Sequence, residues 1–387
     1  MIFNSLGSNY DYKFALKTFF ALNNVKNKTY LISFLNTKYE GETTLLYKGR
    51  EAIKISIDLL KLEKGSKVGI TGFTCYAVYQ AVVDAKCTPV YLDIEKATLN
   101  FNLDAIKKHK GLKVLIIQNT LGNPCDIVKI KKYCLQNKII LIEDLAHSIG
   151  SVYATGEEAG TYGDFVVLSF GQDKILDAVS GGALIVRNVK YKNKVDSLIF
   201  KNVDVQKQLK DRFYPLFTFI IRSTYGIGLG KLLHFILKKL NILSQPIIQE
   251  RAITLHNLPD WYCDLINFQF SQLENNLNHR RKILNVYIAM LSKRTTSFSL
   301  RFPILIKNRI ELIKNLQEYG VYVSDIWYDA PIAPARFLSL TSYSNQCPMG
   351  ESVSKQIVNL PTHRNISLRQ AKELSVKVNK WLNTQHS

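Results

Sequence analysis

Between residues 44 and 190, short apolar runs alternate with stretches of helical periodicity. Residues 51–60 carry Ile53, Ile57 and Leu60 on one face, which predicts a helix. Residues 67–71 predict a short strand. Residues 90–92, 114–117, 139–142 and 165–168 are rich in β-branched and other apolar side chains, as central strands covered on both faces are. Residues 184–186, after the Gly181-Gly182 break, predict a returning strand. Strands alternating with helices predict an α/β fold with a large, mostly parallel sheet and helices on both faces.

The character changes from residue 201 to 245. Residues 213–221 are apolar and bounded by Arg212 and Arg222, and Gly226, Gly228 and Gly230 suggest a hinge. Residues 231–240 then place Leu232, Leu233, Ile236, Leu237 and Leu240 on one helical face, with Lys231, His234 and Lys238 on another. Neither run reaches the roughly 18 uncharged residues that span a bilayer. Beyond residue 250 the pattern predicts one long helix over 268–291, a helix over 309–319 closed by Gly320, a strand over 357–360 and a final helix over 368–382. The expected division is a large α/β domain over 1–248, including the basic amphipathic segment 201–245, and a small C-terminal α+β domain over 249–387.

An apolar content of 47% with 21% charged residues describes a folded globular chain. The start, Met1-Ile2-Phe3-Asn4, has no basic region, and Asp11, Lys13 and Lys17 interrupt the apolar residues after it, so no signal peptide is expected. Six cysteines form no CxxC pair and no metal-ligand spacing with histidine, which points to reduced thiols in a cytoplasmic protein and to no metal site. The net charge of +20 raises the question of nucleic acid. The basic residues are scattered over solvated faces, as at Lys107, Lys108, Lys110 and Lys113, with no nucleic-acid motif beside them. Anionic small substrates or an anionic membrane surface suit the charge better.

Candidate chemistry sits where two of the expected strands end. The run over 139–142 leads into Glu143-Asp144-Leu145-Ala146-His147, and the run over 165–168 leads into Ser169-Phe170-Gly171-Gln172-Asp173-Lys174. In an α/β sheet, ligands bind at strand ends. A carboxylate and an amine delivered there together suit pyridoxal 5'-phosphate: the amine can hold its aldehyde, and the carboxylate can keep its ring nitrogen protonated. Either residue alone would be an ordinary surface group.

With Gly163-Asp164 and Ser180-Gly181-Gly182, these motifs resemble the DegT/DnrJ/StrS-type aminotransferases. Tyr47-Lys48-Gly49-Arg50, Gly72-Phe73-Thr74-Cys75-Tyr76, Thr88-Pro89-Val90, Asn119-Thr120-Leu121-Gly122-Asn123-Pro124 and Val358-Asn359-Leu360-Pro361-Thr362-His363 occur in the family's order. The resemblance implies a fold-type I pyridoxal phosphate enzyme, a homodimer, that passes an amino group from an amino acid such as glutamate to a nucleotide-linked keto-sugar in glycan or amino-sugar biosynthesis. It implies catalytic roles for Lys174, Asp144 and His147, and a cofactor site formed by Gly49, Arg50, Cys75, Asp144, His147, Ser169 and Lys174. His147 would face the cofactor's phenolic oxygen; the plainer reading is a core histidine. Cys75 stands where many members place an aromatic ring, leaving Phe73 or Tyr76 to supply stacking. Asn257-Leu258-Pro259-Asp260-Trp261 lacks the Asn and Arg with which many members reach the partner subunit's cofactor phosphate. Lys174 sets the chain apart from the branch that carries His there and dehydrates its substrate. Alternatives are amination of a cyclitol or carbocyclic ketone, or a non-catalytic relative docked on a membrane. Residues 210–240 are the segment through which a peripheral membrane contact would be made; the plainer reading packs them on protein.

Overall fold

The computed structural model describes residues 1–246, 252–291, 299–323 and 328–384. The expected boundary at 248–249 lies outside the described residues.

A short strand β1 (Ile2–Phe3) and helices α1 (Tyr12–Phe20) and α2 (Val25–Tyr39) precede the alternating region. Next come β2 (Glu42–Leu46), α3 (Gly49–Asp58), β3 (Lys67–Thr71), β4 (Thr74–Cys75), α4 (Tyr76–Asp84), β5 (Thr88–Leu92), α5 (Leu103–Lys107), β6 (Leu112–Ile117), α6 (Ile127–Gln136), β7 (Ile140–Asp144), β8 (Phe165–Ser169) and β9 (Gly182–Val186). Seven of these strands form one sheet in the order β2-β9-β8-β7-β6-β3-β5. Only β9 runs against its neighbours; the other pairings are parallel. The sheet is therefore mostly parallel, and its central strands are buried on both faces: every residue of β9 and all of β8 except Ser169 is buried. That burial is why these segments carry continuous apolar runs.

From β3 the chain steps outward to β5, then crosses back to lay β6 on the other side of β3 and continues through β7 to β8. The strand order thus reverses between β3 and β6, and the carboxyl ends of β2, β3, β6, β7 and β8 share one edge. The residues of chemical interest emerge there.

After β9 come α7 (Val205–Thr224) and α8 (Leu229–Lys239). Gly230 is no hinge: it lies inside α8, and a Cβ there would sit 2.1 Å from the Ile221 carbonyl oxygen of α7. The turn is made instead at Gly228, with φ of +85°. One buried carboxylate locks α7 onto the main body. Asp211 accepts from the hydroxyls of Tyr47 (2.8 Å), Tyr262 (2.8 Å) and Ser244 (2.5 Å).

The long helix expected over 268–291 is two helices, α9 (Asp260–Ser271) and α10 (Leu273–Leu291), parted at Gln272. The remainder comprises β10 (Arg301–Leu305), α11 (Arg309–Glu318), β11 (Val321–Tyr322), β12 (Ile332–Ala333), α12 (Pro348–Ser354), β13 (Ile357–Pro361) and α13 (Leu368–Thr384). β10 and β13 pair antiparallel, and α10, α11 and α13 cover them around Tyr287, Phe302, Leu316, Leu360 and Trp381. The N-terminal β1 joins this part by pairing with β11. β12 pairs with β4, tying the C-terminal part to the sheet edge that carries Cys75.

Candidate functional site

Gly49, Arg50, Cys75, Asp144, His147, Ser169 and Lys174, from four separate stretches of the sequence, line one pocket at the carboxyl edge of the sheet. Topology explains the convergence. β7 ends at Asp144, its parallel neighbour β8 ends at Ser169, and the turn after β2 opens helix α3 at Gly49.

One end of the pocket is a close approach of helix α3 to strand β8. A Cβ added to Gly49 would lie 3.0 Å from Ser169 Cβ and 3.3 Å from its Oγ. The missing side chain therefore brings the first amides of α3 against the Ser169 hydroxyl. Backbone N–H groups at a helix start, with the helix dipole behind them, favour an anion. The Arg50 guanidinium itself is turned aside, donating to Gln80 Oε1 (3.3 Å) and to the Pro246 carbonyl (3.2 Å).

In the same pocket, Asp144 is buried and accepts one backbone donor, Ala146 N–H at 3.0 Å. Burial raises its carboxyl to about 6, against an opposing pull from the Lys174 cation. Such a group gains from a cationic partner, which a protonated ring nitrogen supplies. Burial also lowers the Lys174 amine below its ordinary value, towards the neutral form. With a helix start and a hydroxyl for a phosphate, a buried acceptor for a ring nitrogen and a buried amine in one pocket, the donor set fits pyridoxal phosphate.

Lys174 is carried on a turn held from below. Asp173 adopts φ of +64° and Val179 φ of +70°, a rare backbone state for a β-branched residue. Asp177, wholly buried, offsets that strain by accepting from the backbone N–H groups of Asp173 (2.8 Å) and Val179 (3.1 Å). It also accepts from Asn9 (3.1 Å) and from the Tyr10 hydroxyl. Asn9 donates in addition to the Lys174 carbonyl (3.1 Å), Gln269 to that of Asp177 (2.9 Å) and Asn276 to that of Ile175 (3.0 Å).

His147 is buried, and burial holds its ring well below the ordinary histidine range, with the Lys174 and Arg301 cations acting in the same direction. The Leu121 amide donates to Nδ1 at 3.3 Å, which leaves the proton on Nε2, 3.1 Å from the Tyr328 hydroxyl. Phe73 and Tyr76, the candidates for stacking, both pack on other rings. Phe73 packs on Tyr328 and Tyr76 on Phe337, and neither lines the pocket, whereas Cys75 does.

Two further groups escaped sequence reasoning. Tyr328 and Arg301 share a small cavity with Lys174, Asp173 and His147. Arg301 is buried and lies 3.9 Å from Asp173. It belongs to β10, far along the chain, and no local pattern marks it. On the opposite side, a cavity of about 230 Å³ adjoins the cofactor pocket, sharing Lys48, Arg50 and Pro246 with it. Its outer wall brings Lys207 and Lys210 from α7.

Among known proteins, the chain is 28% identical over 160 residues to a GDP-perosamine synthase from Vibrio cholerae, covering 41% of this chain and 42% of that one. The chain thus spans about two fifths of the length of that curated relative. A GDP-perosamine synthase from Caulobacter vibrioides is 22% identical over 328 residues, covering 82% of this chain and 80% of that one. Among solved structures, PseC of Helicobacter pylori, an aminotransferase involved in the biosynthesis of pseudoaminic acid, superposes with a TM-score of 0.71 at 14% identity, covering 96% of each chain. That likeness shows the shared fold. The profile of one family runs from strand β2 into helix α13, over residues 42–379, and the chain belongs to it: the DegT/DnrJ/EryC1/StrS aminotransferase family.

Proposed function

We propose that this chain is a pyridoxal phosphate-dependent aminotransferase that takes an amino group from an amino acid, glutamate foremost, and places it on a keto-sugar carried by a nucleotide. The observation that carries the reading is the convergence of Asp144, Lys174, His147, Ser169 and Gly49 on one pocket. Pyridoxal phosphate supplies an aldehyde that takes up amines and a ring that withdraws electrons. Around it, the first amides of α3 and Ser169 would hold the phosphate, and Asp144 would keep the ring nitrogen protonated. His147, neutral and fixed by Leu121 and Tyr328, would face the ring's oxygen. Lys174, pushed towards the neutral amine, would hold the cofactor's aldehyde and, as a free amine, would serve as the base that moves a proton at the reacting carbon.

Two features support the substrates. Arg301, a buried cation sharing a cavity with Lys174, suits the carboxylate of an amino-acid donor. The adjoining cavity, with Lys48, Arg50, Lys207 and Lys210 against Glu51 and Asp211, suits a phosphate-bearing acceptor. The six cysteines stand as free thiols, which supports a reducing, cytoplasmic setting. A homodimer is supported by apolar side chains left exposed on α1 and α2, among them Leu16, Phe20, Val25 and Tyr30. Light scattering should give twice the 44.2 kDa chain mass; an active species of single-chain mass contradicts the dimer. The test of the reaction is a screen of nucleotide-linked keto-sugars with glutamate, read by mass spectrometry. One member should gain an amine with loss of its carbonyl oxygen. Amination confined to cyclitols or carbocyclic ketones, or loss of water alone, overturns the assignment.

A further inference from the structure

Helix α8 has two apolar faces, and the protein uses only one. Gly230 and Leu237 are buried, and Leu233 packs against the same core. Leu232 and Phe235, roughly opposite, stand 56% and 65% exposed, Leu229 and Ile236 at the flanks 53% and 41%, and Leu240, which caps the helix, 62%. The turn before them adds Ile227 at 80%. So much apolar surface on eleven helical residues is not the scattered exposure usual on soluble proteins.

The charge along this segment has one sign. No aspartate or glutamate occurs from Arg212 to Gln249. Arg212 and Arg222 are used internally, donating to the carbonyls of Phe19, Ala21 and Tyr10. Lys231, Lys238 and Lys239 remain exposed, and Lys238 and Lys239 make no ion pair among the described residues. Both apolar side chains and cations therefore project from one helix.

We propose that α8 lies in the plane of an anionic lipid surface, its outer face among the acyl chains and its lysines at the headgroups. The helix pattern is that of an interfacial segment, with an apolar face buried a few ångströms deep and basic residues beside it. No helix among the described residues is long and apolar enough to cross a membrane, so the contact is peripheral. Charge decides between lipid and a second copy of the chain. A two-fold contact sets a patch against its own copy, and residues 212–249 carry no carboxylate to pair with Lys231, Lys238 and Lys239 there. Anionic headgroups have the opposite sign and complete the pattern. None of the exposed apolar residues and lysines of α8 lines the cofactor pocket or the cavity beside it, and the proposal stands independently of the substrate assigned above.

Co-sedimentation of the full-length holoenzyme with vesicles tests it, using phosphatidylglycerol mixed with phosphatidylcholine against phosphatidylcholine alone. Binding should require the anionic lipid and weaken as salt is raised. The triple variant Lys231→Gln, Lys238→Gln, Lys239→Gln should bind roughly a hundredfold more weakly. Leu232→Glu with Phe235→Glu should abolish binding and leave transaminase activity unchanged, since these side chains already face water. Absence of binding to anionic vesicles at low salt overturns the proposal. Binding indifferent to lipid charge and to the lysine substitutions overturns it equally. So does a fall in oligomer mass for the Leu232→Glu, Phe235→Glu variant when the wild-type chain ignores vesicles, because the face then belongs to a second copy.

Discussion

Replacing Lys174 with Ala is expected to lower the transamination rate by at least about 10⁴-fold and to abolish the covalent, borohydride-reducible attachment of the cofactor. No neighbour can take over. The carboxylate of Asp144 faces the same pocket, but it is not an amine, and Lys48 is tied to Ser180 Oγ at 2.8 Å. The fold should survive the change, because the turn is held through Asp177, Asn9 and the Asn276 and Gln269 amides and not through the lysine side chain. The protein should therefore still bind pyridoxal phosphate, reversibly, through the start of α3 and Ser169. Retention of a reducible adduct on Lys48 or Lys67 in this variant would place the cofactor lysine elsewhere.

Asp144→Asn is expected to separate activity from stability, in opposite directions. Activity should fall roughly a hundredfold or more even with saturating cofactor, because the neutral amide no longer stabilises a protonated ring nitrogen. The cofactor-free protein should become more stable. Burial raises the folded-state carboxyl to about 6 from an ordinary value of 3.8, so the native state holds more protons than the unfolded chain between those two values. Stability then falls as pH rises through that window and levels off above it. The gap corresponds to roughly 3 kcal/mol at neutral pH, which sets the upper limit of the gain from Asn. Denaturant unfolding of the two apoproteins at pH 7 and pH 4 checks this: the gain should be present at pH 7 and largely gone at pH 4. A variant that is less stable at pH 7 would show that the carboxylate is satisfied without a cofactor.

The parts of the site legible in the sequence are those where one local signal marks both structure and chemistry. β3 occupies residues 67–71 as expected, and β7 and β8 end in Asp144 and Ser169 because a buried strand must stay apolar until it reaches the sheet edge. Gly49 is marked by its place before a helix. The supports are not legible, because they act across the chain. Asp177 binds Asn9 and Tyr10, about 170 residues away, and neither end carries a motif. Arg301 reaches the site only because β10 packs beside the Lys174 turn. The break between α9 and α10 is also tertiary in origin: Gln269 before it and Asn276 after it both donate to carbonyls of that turn, while Ser271-Gln272-Leu273 has no helix-breaking residue to announce it. Gly230 misleads for a related reason. A glycine that admits a neighbouring backbone and one that loosens a turn look alike until the neighbour is known.

The central claim, that this pocket performs the donor half of a transamination, is tested most directly by the visible spectrum of the purified full-length protein before and after adding glutamate. The account predicts a yellow protein whose colour bleaches with glutamate, yields one equivalent of 2-oxoglutarate per active site and returns when that keto acid is supplied in excess. A protein that takes up pyridoxal phosphate at Lys174 yet keeps its colour and releases no keto acid, with glutamate or any other amino acid, would contradict it.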